Sequence, residues 1–456
     1  MKLTFYGGAG EIGGNKILLE TQKARVFFDF GTPFTRNEKY YDGFDFLSPR
    51  DKLGMRDYFE FGMLPKIKGV YAKETLQDCD LKYEAPAFDA VFLTHIHQDH
   101  MGDVGDIDSG IPVYLGYGAK KLNDAYNTVN PYFKSEDNGN VIEFKTGDKI
   151  QIKDITVIPV HVDHSTPGAY GFIIKTPEGV IAYTGDFRFH GFKGDMTEDF
   201  MKAAKQYEAQ TLICEGTRVQ SKLEGLYKKN MTEADVESGL YEAMKVSKGI
   251  TYANFSFRNI DRVRSLYNAA VKAKKVLLAS PGFFYALDNA GQLITGLPTL
   301  KNNKNMLVFK KDADISDDEK RILNYAKPYL ANAVDYKWVK KNIGDVVMFA
   351  SESEFSQLID IKPNKGTFIY SMSEHYLDGE GFEAKKDCLQ NWLEHFGLKF
   401  EQIHCSGHAD ATGVQKMLNG VNAKTVIPVH TEGATAFKDM CKSKVILPEK
   451  DGTITI

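Results

Sequence analysis

Cysteine is scarce and scattered in this chain. The five cysteines (Cys79, Cys214, Cys388, Cys405, Cys441) among 456 residues are odd in number, far apart and never spaced as CxxC. That excludes a disulfide framework and a thiolate zinc site, and it fits a reducing, cytoplasmic compartment. Long apolar runs are also missing: nothing approaches the ~18 consecutive apolar residues of a membrane span. The apolar stretch at Met1 to Tyr6 is too brief for a secretory leader. Repeats and low-complexity tracts are absent, and with 43% hydrophobic and 26% charged residues the composition is that of folded protein. Glycine, with 40 residues, and phenylalanine, with 30, are abundant. The length admits roughly two to four domains, or one large fold carrying an insertion.

Charge is uneven. Residues 216–365 hold 24 Lys+Arg against 17 Asp+Glu, an excess of +7, while the rest of the chain holds 33 against 44. Such a basic segment can face a polyanion. Local patterning divides the chain at the same places. Up to residue 215, short apolar runs such as Lys16 to Glu20, Ile155 to His161 and Thr211 to Glu215 alternate with glycine-rich turns and predict strands. From 216 to 365 longer helical periodicities appear, with Ile260, Val263, Tyr267 and Ala270 on one face and Thr232 as a cap before Glu233. Another helix is expected to start after Thr197. After 366 the strand-and-glycine style returns, through Gln402 to Cys405 and Thr425 to Val429. This order predicts one α/β domain (1–215 and 366–456) interrupted by a second (216–365). The aromatic-rich excursion from Arg36 to Pro86 reads as a local satellite core, with a lid or a stacking platform as the alternative.

The chemical signal is concentrated at Thr94-His95-Ile96-His97-Gln98-Asp99-His100, directly after a predicted buried strand. Imidazole and carboxylate are ligands for zinc and manganese. At a strand end His95 and His97 project to the same side, and Asp99 with His100 on the following turn reach a second point, a geometry for two metals. His164, Asp186 and His430 each follow another apolar run, and strand ends at one sheet edge converge in space. His161 is a rival for His164, but three residues away on an extended strand it faces the other way. His190, His375, His395 and His404 read as structural or surface residues. Gly8-x-Gly10-x-x-Gly13 matches a dinucleotide fingerprint formally, yet a strand follows it where a helix is required.

In these segments the sequence resembles the metallo-β-lactamase superfamily, whose second motif is HxHxDH. Gly7 to Asn15 is similar to its opening hairpin, and Phe28-Asp29-Phe30-Gly31 to its first motif. Cys214-Glu215-Gly216-Thr217-Arg218, Cys405-Ser406-Gly407-His408-Ala409-Asp410 and the His430 segment resemble motifs A, B and C of the β-CASP nucleases. The likeness is to the ribonuclease J-like group, and to its short archaeal-type members. It implies a metallo-β-lactamase αββα sandwich interrupted by an inserted α/β β-CASP domain. It also implies two divalent metals, zinc or manganese. One would be held by His95, His97, His164 and Asp186, the other by Asp99, His100, Asp186 and His430, with Asp29 supporting the ligands from behind. Catalytic roles fall on Asp99 and Asp186 at an activated water, on His408 as general acid and on Glu215, which would orient it.

The implied substrate is single-stranded RNA, cut 5′ to 3′ with a preference for 5′-monophosphate ends. Ser406, Gly407 and Ala409 around the phosphate, Ser373 and its neighbour Ser371, and Arg258 from the inserted domain would be the contacts. A homodimer is compatible with the resemblance. Asp410 departs from the small or hydroxyl residue common in ribonuclease J-like sequences, and a carboxylate beside a phosphate would repel it. Endonucleolytic RNA cleavage therefore stands as the alternative, ahead of a DNA nuclease or a small-molecule hydrolase.

Overall fold

Period-two alternation of apolar side chains builds the first layer of the molecule. In Lys16–Glu20, Ile17 and Leu19 point into one core while Leu18 points into another, and in Arg25–Phe28 the same split separates Val26 and Phe28 from Phe27. A strand buried on both faces belongs inside a layered sandwich. The computed structural model describes residues 1–44, 46–50, 53–130, 137–219, 231–311, 317–331, 333–373, 375–378 and 381–456.

Two seven-stranded sheets form the sandwich. The first runs Gly452–Thr455, Lys2–Gly7, Lys16–Glu20, Arg25–Phe28, Ala90–Phe92, Val113–Gly116, Val141–Phe144. The second runs Lys444–Val445, Thr425–Val429, Thr211–Glu215, Gly179–Tyr183, Tyr170–Thr176, Ile155–His161, Ile150–Ile152. Their inner faces share one core, in which Phe28, Phe92 and Phe172 meet with ring centroids 5.7–5.8 Å apart. Helices Gly194–Gln206 and Ala411–Val421 cover the outer face of the second sheet. The predicted αββα arrangement is present. Thr197 is not a cap: that helix begins at Gly194, and the Thr197 hydroxyl lies inside it, accepting from Asp163 N and donating to the Arg188 carbonyl.

The third sheet is all parallel, in the order Met306–Val308, Val276–Ala279, Val346–Phe349, Ile250–Asn254, Gly366–Tyr370, Leu398–Gln402. Helix Glu233–Val246 opens this unit with Thr232 in a capping box with Asp235, as the sequence predicts. The boundary expected at 365 is not where the unit ends. Gly366–Tyr370 pairs with Ile250–Asn254, and Leu398–Gln402 pairs with Gly366–Tyr370, so the inserted sheet continues through Gln402. The expected strand Gln402 to Cys405 is accordingly Leu398–Gln402. A strand, helix, strand succession looks the same in either domain, and only the pairing partner distinguishes them. With this boundary residues 216–402 hold 27 Lys+Arg against 24 Asp+Glu, so the expected +7 excess shrinks to +3.

The aromatic excursion divides. Met55, Phe59 and Tyr71 join the large core under the first sheet, whereas Phe44 and Phe46 are exposed, and Tyr40 stacks on the half-exposed Phe61 at 4.3 Å. Among the described residues no helix is long and apolar enough to cross a membrane.

Candidate metal centre

The predicted ligands stand at the ends of strands from both sandwich sheets. His95 and His97 follow Ala90–Phe92, His164 follows Ile155–His161, Asp186 follows Gly179–Tyr183, and His430 follows Thr425–Val429. Asp99 and His100 lie on the single turn Gln98–Met101. The close approach of these segments requires glycine at two points. A Cβ on Gly31 would stand 1.8 Å from the Asp99 carbonyl oxygen, and one on Gly13, at φ +83°, would stand 2.9 Å from Asp99 Cβ.

Three groups of donor atoms result, all containing or touching Asp186. His95, His97, His164 and Asp186 form the first, Asp99, His100, Asp186 and His430 the second, and Asp186, Glu215 and His408 the third, with all donor atoms in each group within 4.8 Å of one another. Among the described residues both Asp186 oxygens and His100 Nε2 are buried without a hydrogen-bond partner. His100 Nε2 is 3.1 Å from Asp186 Oδ2 but not aligned with it for a hydrogen bond. Such orphaned atoms cost free energy unless a cation completes them, so the residues present fit a bound metal.

The surroundings assign the lone pairs. Asp29, at φ +58°, accepts from Thr94 N at 2.7 Å, Thr94 Oγ1 at 3.0 Å, Tyr183 Oη at 2.7 Å and His100 Nδ1 at 2.8 Å. The Thr94 hydroxyl spends its proton on Asp29, so His95 Nδ1 at 3.0 Å must donate to it, leaving the His95 Nε2 lone pair facing Asp186. His164 Nδ1 donates to the Gly407 carbonyl at 2.7 Å and likewise turns the Nε2 lone pair inward. His97 Nδ1 then lies 2.9 Å from His95 Nε2 and 3.1 Å from His164 Nε2, three imidazole nitrogens crowded at one point. Burial pushes the His95 and His164 pKa values well below normal and that of His97 down to about 4, keeping the rings neutral and ready to coordinate. Burial opposes ionisation of Asp186, but the His100, His430 and His408 rings hold its pKa well below the carboxylate range.

Across the cleft, His408 Nδ1 lies 3.1 Å from Glu215 Oε1 and 3.1 Å from Thr217 Oγ1. Burial lowers its pKa, but Glu215 and Asp186 outweigh that and raise it to about 9, which favours the protonated ring. Glu215 is itself fixed by Phe187 N at 3.0 Å and Thr217 N at 3.0 Å. Thr94, Tyr183 and Thr217 are the contributors that sequence reasoning missed. Each sits one to three residues from a residue that was identified, and only the hydrogen-bond network singles it out.

The expected phosphate contacts separate. Gly407 packs against the His164 loop, where a Cβ would stand 2.8 Å from Ser165 Oγ, and Ser406 Oγ accepts from His408 N at 3.1 Å. The Ala409 N–H is already committed, donating to the Phe187 carbonyl at 2.7 Å, and its methyl is buried under the second sheet, so it does not face a phosphate. Ser371 is 2% exposed and bonded to Arg262. Ser373 is half-buried and makes no hydrogen bond to the cluster among the described residues. Arg258 lies over the Tyr126 ring at 5.2 Å, close enough for its charge to lower the His97 pKa, and among the described residues no carboxylate pairs with it. Asp410 caps helix Ala411–Val421, accepting from Gly413 N at 2.8 Å. One oxygen of its carboxylate is thereby committed to the helix. His161 stays out of the cluster, stacked on Tyr170 at 4.0 Å, while His190 bonds the Ser406 carbonyl, His404 the Ser371 carbonyl, and His395 is exposed. The His375 side chain lies outside the described residues.

Comparison with known proteins bears on the fold and the class of protein. Residues 65–251 match the beta-lactamase superfamily domain, and residues 395–448 match the Zn-dependent metallo-hydrolase RNA specificity domain. The chain therefore carries the metallo-β-lactamase domain of that superfamily. Within it the likeness is to ribonuclease J. The Helicobacter pylori protein of that name is 24% identical over 448 residues, covering 95% of this chain and 56% of that protein. The Pyrococcus abyssi ribonuclease J is 23% identical over 455 residues, covering 95% of this chain and 90% of that one. A crystal structure of a protein of unknown function from Enterococcus faecalis has the same fold, with a TM-score of 0.74 at 20% identity over 100% of this chain and 99% of its own.

Proposed function

We propose that the chain is a metal-dependent ribonuclease that hydrolyses single-stranded RNA from its 5′ end and prefers 5′-monophosphate termini. The observation that carries the reading is the pair of buried donor clusters sharing Asp186, whose two oxygens lack partners among the described residues, with the His408–Glu215 pair beside them. Two divalent cations, zinc or manganese, suit this nitrogen and oxygen donor set, with His95, His97, His164 and Asp186 holding one and Asp99, His100, Asp186 and His430 the other. When bound they supply Lewis acidity at phosphorus and a water of lowered pKa.

The remaining work belongs to side chains. Asp29 and Thr94 fix the His100 and His95 tautomers, so the coordinating nitrogens need no rearrangement. Glu215 holds the Nδ1–H of His408, leaving the proton on Nε2 for the 3′-oxygen that leaves as the P–O bond breaks. Arg258, with no carboxylate partner among the described residues, offers its guanidinium to an RNA phosphate from the inserted domain. With the module's excess reduced to +3, this local charge supports polyanion binding better than the net charge does. Because Asp410 is engaged as a helix cap, repulsion of a 5′-phosphate argues less strongly for endonucleolytic cleavage. Five cysteines without a disulfide support a cytoplasmic location.

A time course on one RNA labelled in parallel at its 5′ and 3′ ends, in 5′-monophosphate and 5′-hydroxyl forms and with zinc or manganese, tests the reading. Immediate release of 5′-mononucleotides with a strong monophosphate preference is expected. Discrete internal fragments indifferent to the 5′ end would move the assignment to an endoribonuclease, and equal hydrolysis of the matching DNA would remove the preference for RNA.

A further inference from the structure

The loop that presents His408 is held by its carbonyls. The Cys405 carbonyl accepts from Arg262 Nη2 at 3.2 Å, the Ser406 carbonyl from Arg188 Nη1 at 3.3 Å and His190 Nε2 at 2.9 Å, and the Gly407 carbonyl from His164 Nδ1 at 2.7 Å. Both arginines are 0% exposed. Among the described residues their carboxylate partners are buried or half-buried. Arg262 is clamped on Glu233 at 2.7 and 3.1 Å and donates at 2.9 Å to the Ser371 carbonyl, while Arg188 is paired with Asp163 at 3.3 Å and Asp261 at 2.7 Å. Arg188, His190 and His164 belong to the sandwich domain, and Arg262 with Glu233 belongs to the inserted one. The loop is therefore pinned from both sides of the domain boundary.

A planar peptide unit fixes the relation between each carbonyl and the N–H that follows it. Holding the carbonyls of residues 405, 406 and 407 sets the directions of the 406, 407 and 408 amides and with them the Cα–Cβ direction of His408. An imidazole at the end of that chain stays 3.1 Å from Glu215 only while those peptides keep their orientation.

We propose that Arg262, Arg188 and His190 are positioning residues that act through the carbonyls of Cys405 and Ser406 to hold the His408 imidazole. Arg262 thereby makes the chemical step depend on docking of the inserted domain. The proposal rests on the reading of His408 as the proton donor.

The test is a single-turnover and steady-state comparison on labelled RNA. It uses the metal-loaded full chain carrying Arg262→Lys or His190→Ala, each alone and combined with His408→Ala, with bound metal measured in every variant. Arg262→Lys keeps the charge but not the planar fork, and it is expected to lower kcat at least ~10-fold with KM within about twofold and metal content unchanged. Combined with His408→Ala it is expected to slow the reaction by less than about twofold further, because the group it positions is gone. A merely structural role would slow both backgrounds alike, so additive losses overturn the proposal. His190 is half-buried, and His190→Ala should show the same pattern at about threefold. It decides the matter if Arg262→Lys does not fold, and wild-type kcat in His190→Ala would then overturn the proposal. Full turnover by His408→Ala would overturn the proposal together with the reading on which it rests.

Discussion

His95, His97 and His164 face Asp186 from one side of the cleft, and His408 with Glu215 faces it from the other. The first three stand just past strand ends of the sandwich, where Asp29 fixes the His95 tautomer through Thr94 and the Gly407 carbonyl fixes that of His164. His408 hangs on a loop that leaves the inserted sheet at Gln402 and is oriented by side chains of both domains. Capture of metal should therefore be a property of the sandwich alone, and proton delivery a property of the assembled pair of domains.

The strongest way to break this division is at the shared residue. Asp186→Ala removes the only carboxylate common to all three donor groups and is expected to abolish metal binding and turnover together, by more than ~10⁴-fold, as read by bound-metal analysis and single-turnover rates. His97→Ala and Asp99→Ala should do the same through one cluster each. Retention of two metals in Asp186→Ala would remove the bridge from the account.

His408→Ala should separate the sides: metal content and KM nearly unchanged, kcat down by about 10²–10⁴-fold. The pH profile has a definite sign. Glu215 and Asp186 raise the His408 pKa to about 9, so the proton-donating form is present below that pH and kcat should fall as pH rises through it. An alkaline limb that persists in His408→Ala would assign the titration elsewhere.

Acid sensitivity compares the two domains more finely. In the sandwich, burial opposes ionisation of Asp103, but Arg36 and Lys16 hold its pKa down at about 2, and in the inserted domain Arg262 does the same for Glu233, also at about 2. Both pKa values are depressed on folding, so the stabilisation is complete above the unfolded values near 4 and is lost as pH falls toward 2. Each pair contributes roughly 2–3 kcal/mol. Asp103→Asn and Glu233→Gln should flatten the acid limb of the melting temperature profile. The Glu233 change should also reduce kcat through Arg262, and the Asp103 change should not.

The ligands were legible because chemistry of this kind restricts residue type and puts it at strand ends, where Thr94 to His100 reads directly as a cluster. Asp29 was legible only through the family resemblance, and the roles of Tyr183 and Thr94 not at all, since nothing in the sequence marks the hydroxyl that finds a carboxylate. The end of the inserted unit was misplaced because Gly366–Tyr370 and Leu398–Gln402 have ordinary strand sequences whose partners lie more than a hundred residues away in one case. Arg188 escaped notice, and His190 read only as a structural or surface residue, for a related reason: both hold backbone carbonyls, and a carbonyl has no residue type to read.

Asp410 gives the smallest and sharpest test of that last point. As a sequence it reads as a charge beside a phosphate, whereas in the fold its carboxylate accepts from Gly413 N and starts helix Ala411–Val421. Asp410→Ser keeps a capping oxygen and should leave both melting temperature and the ratio of 5′-monophosphate to 5′-hydroxyl turnover nearly unchanged. Asp410→Ala loses the cap and should cost about 1 kcal/mol of stability with the same ratio. If instead the serine variant raised the monophosphate preference several-fold at constant stability, the carboxylate would be acting on the phosphate in solution. The helix cap would then be the weaker of its two roles, and the His408 side of the cleft would owe part of its selectivity to a residue that the fold alone assigns to structure.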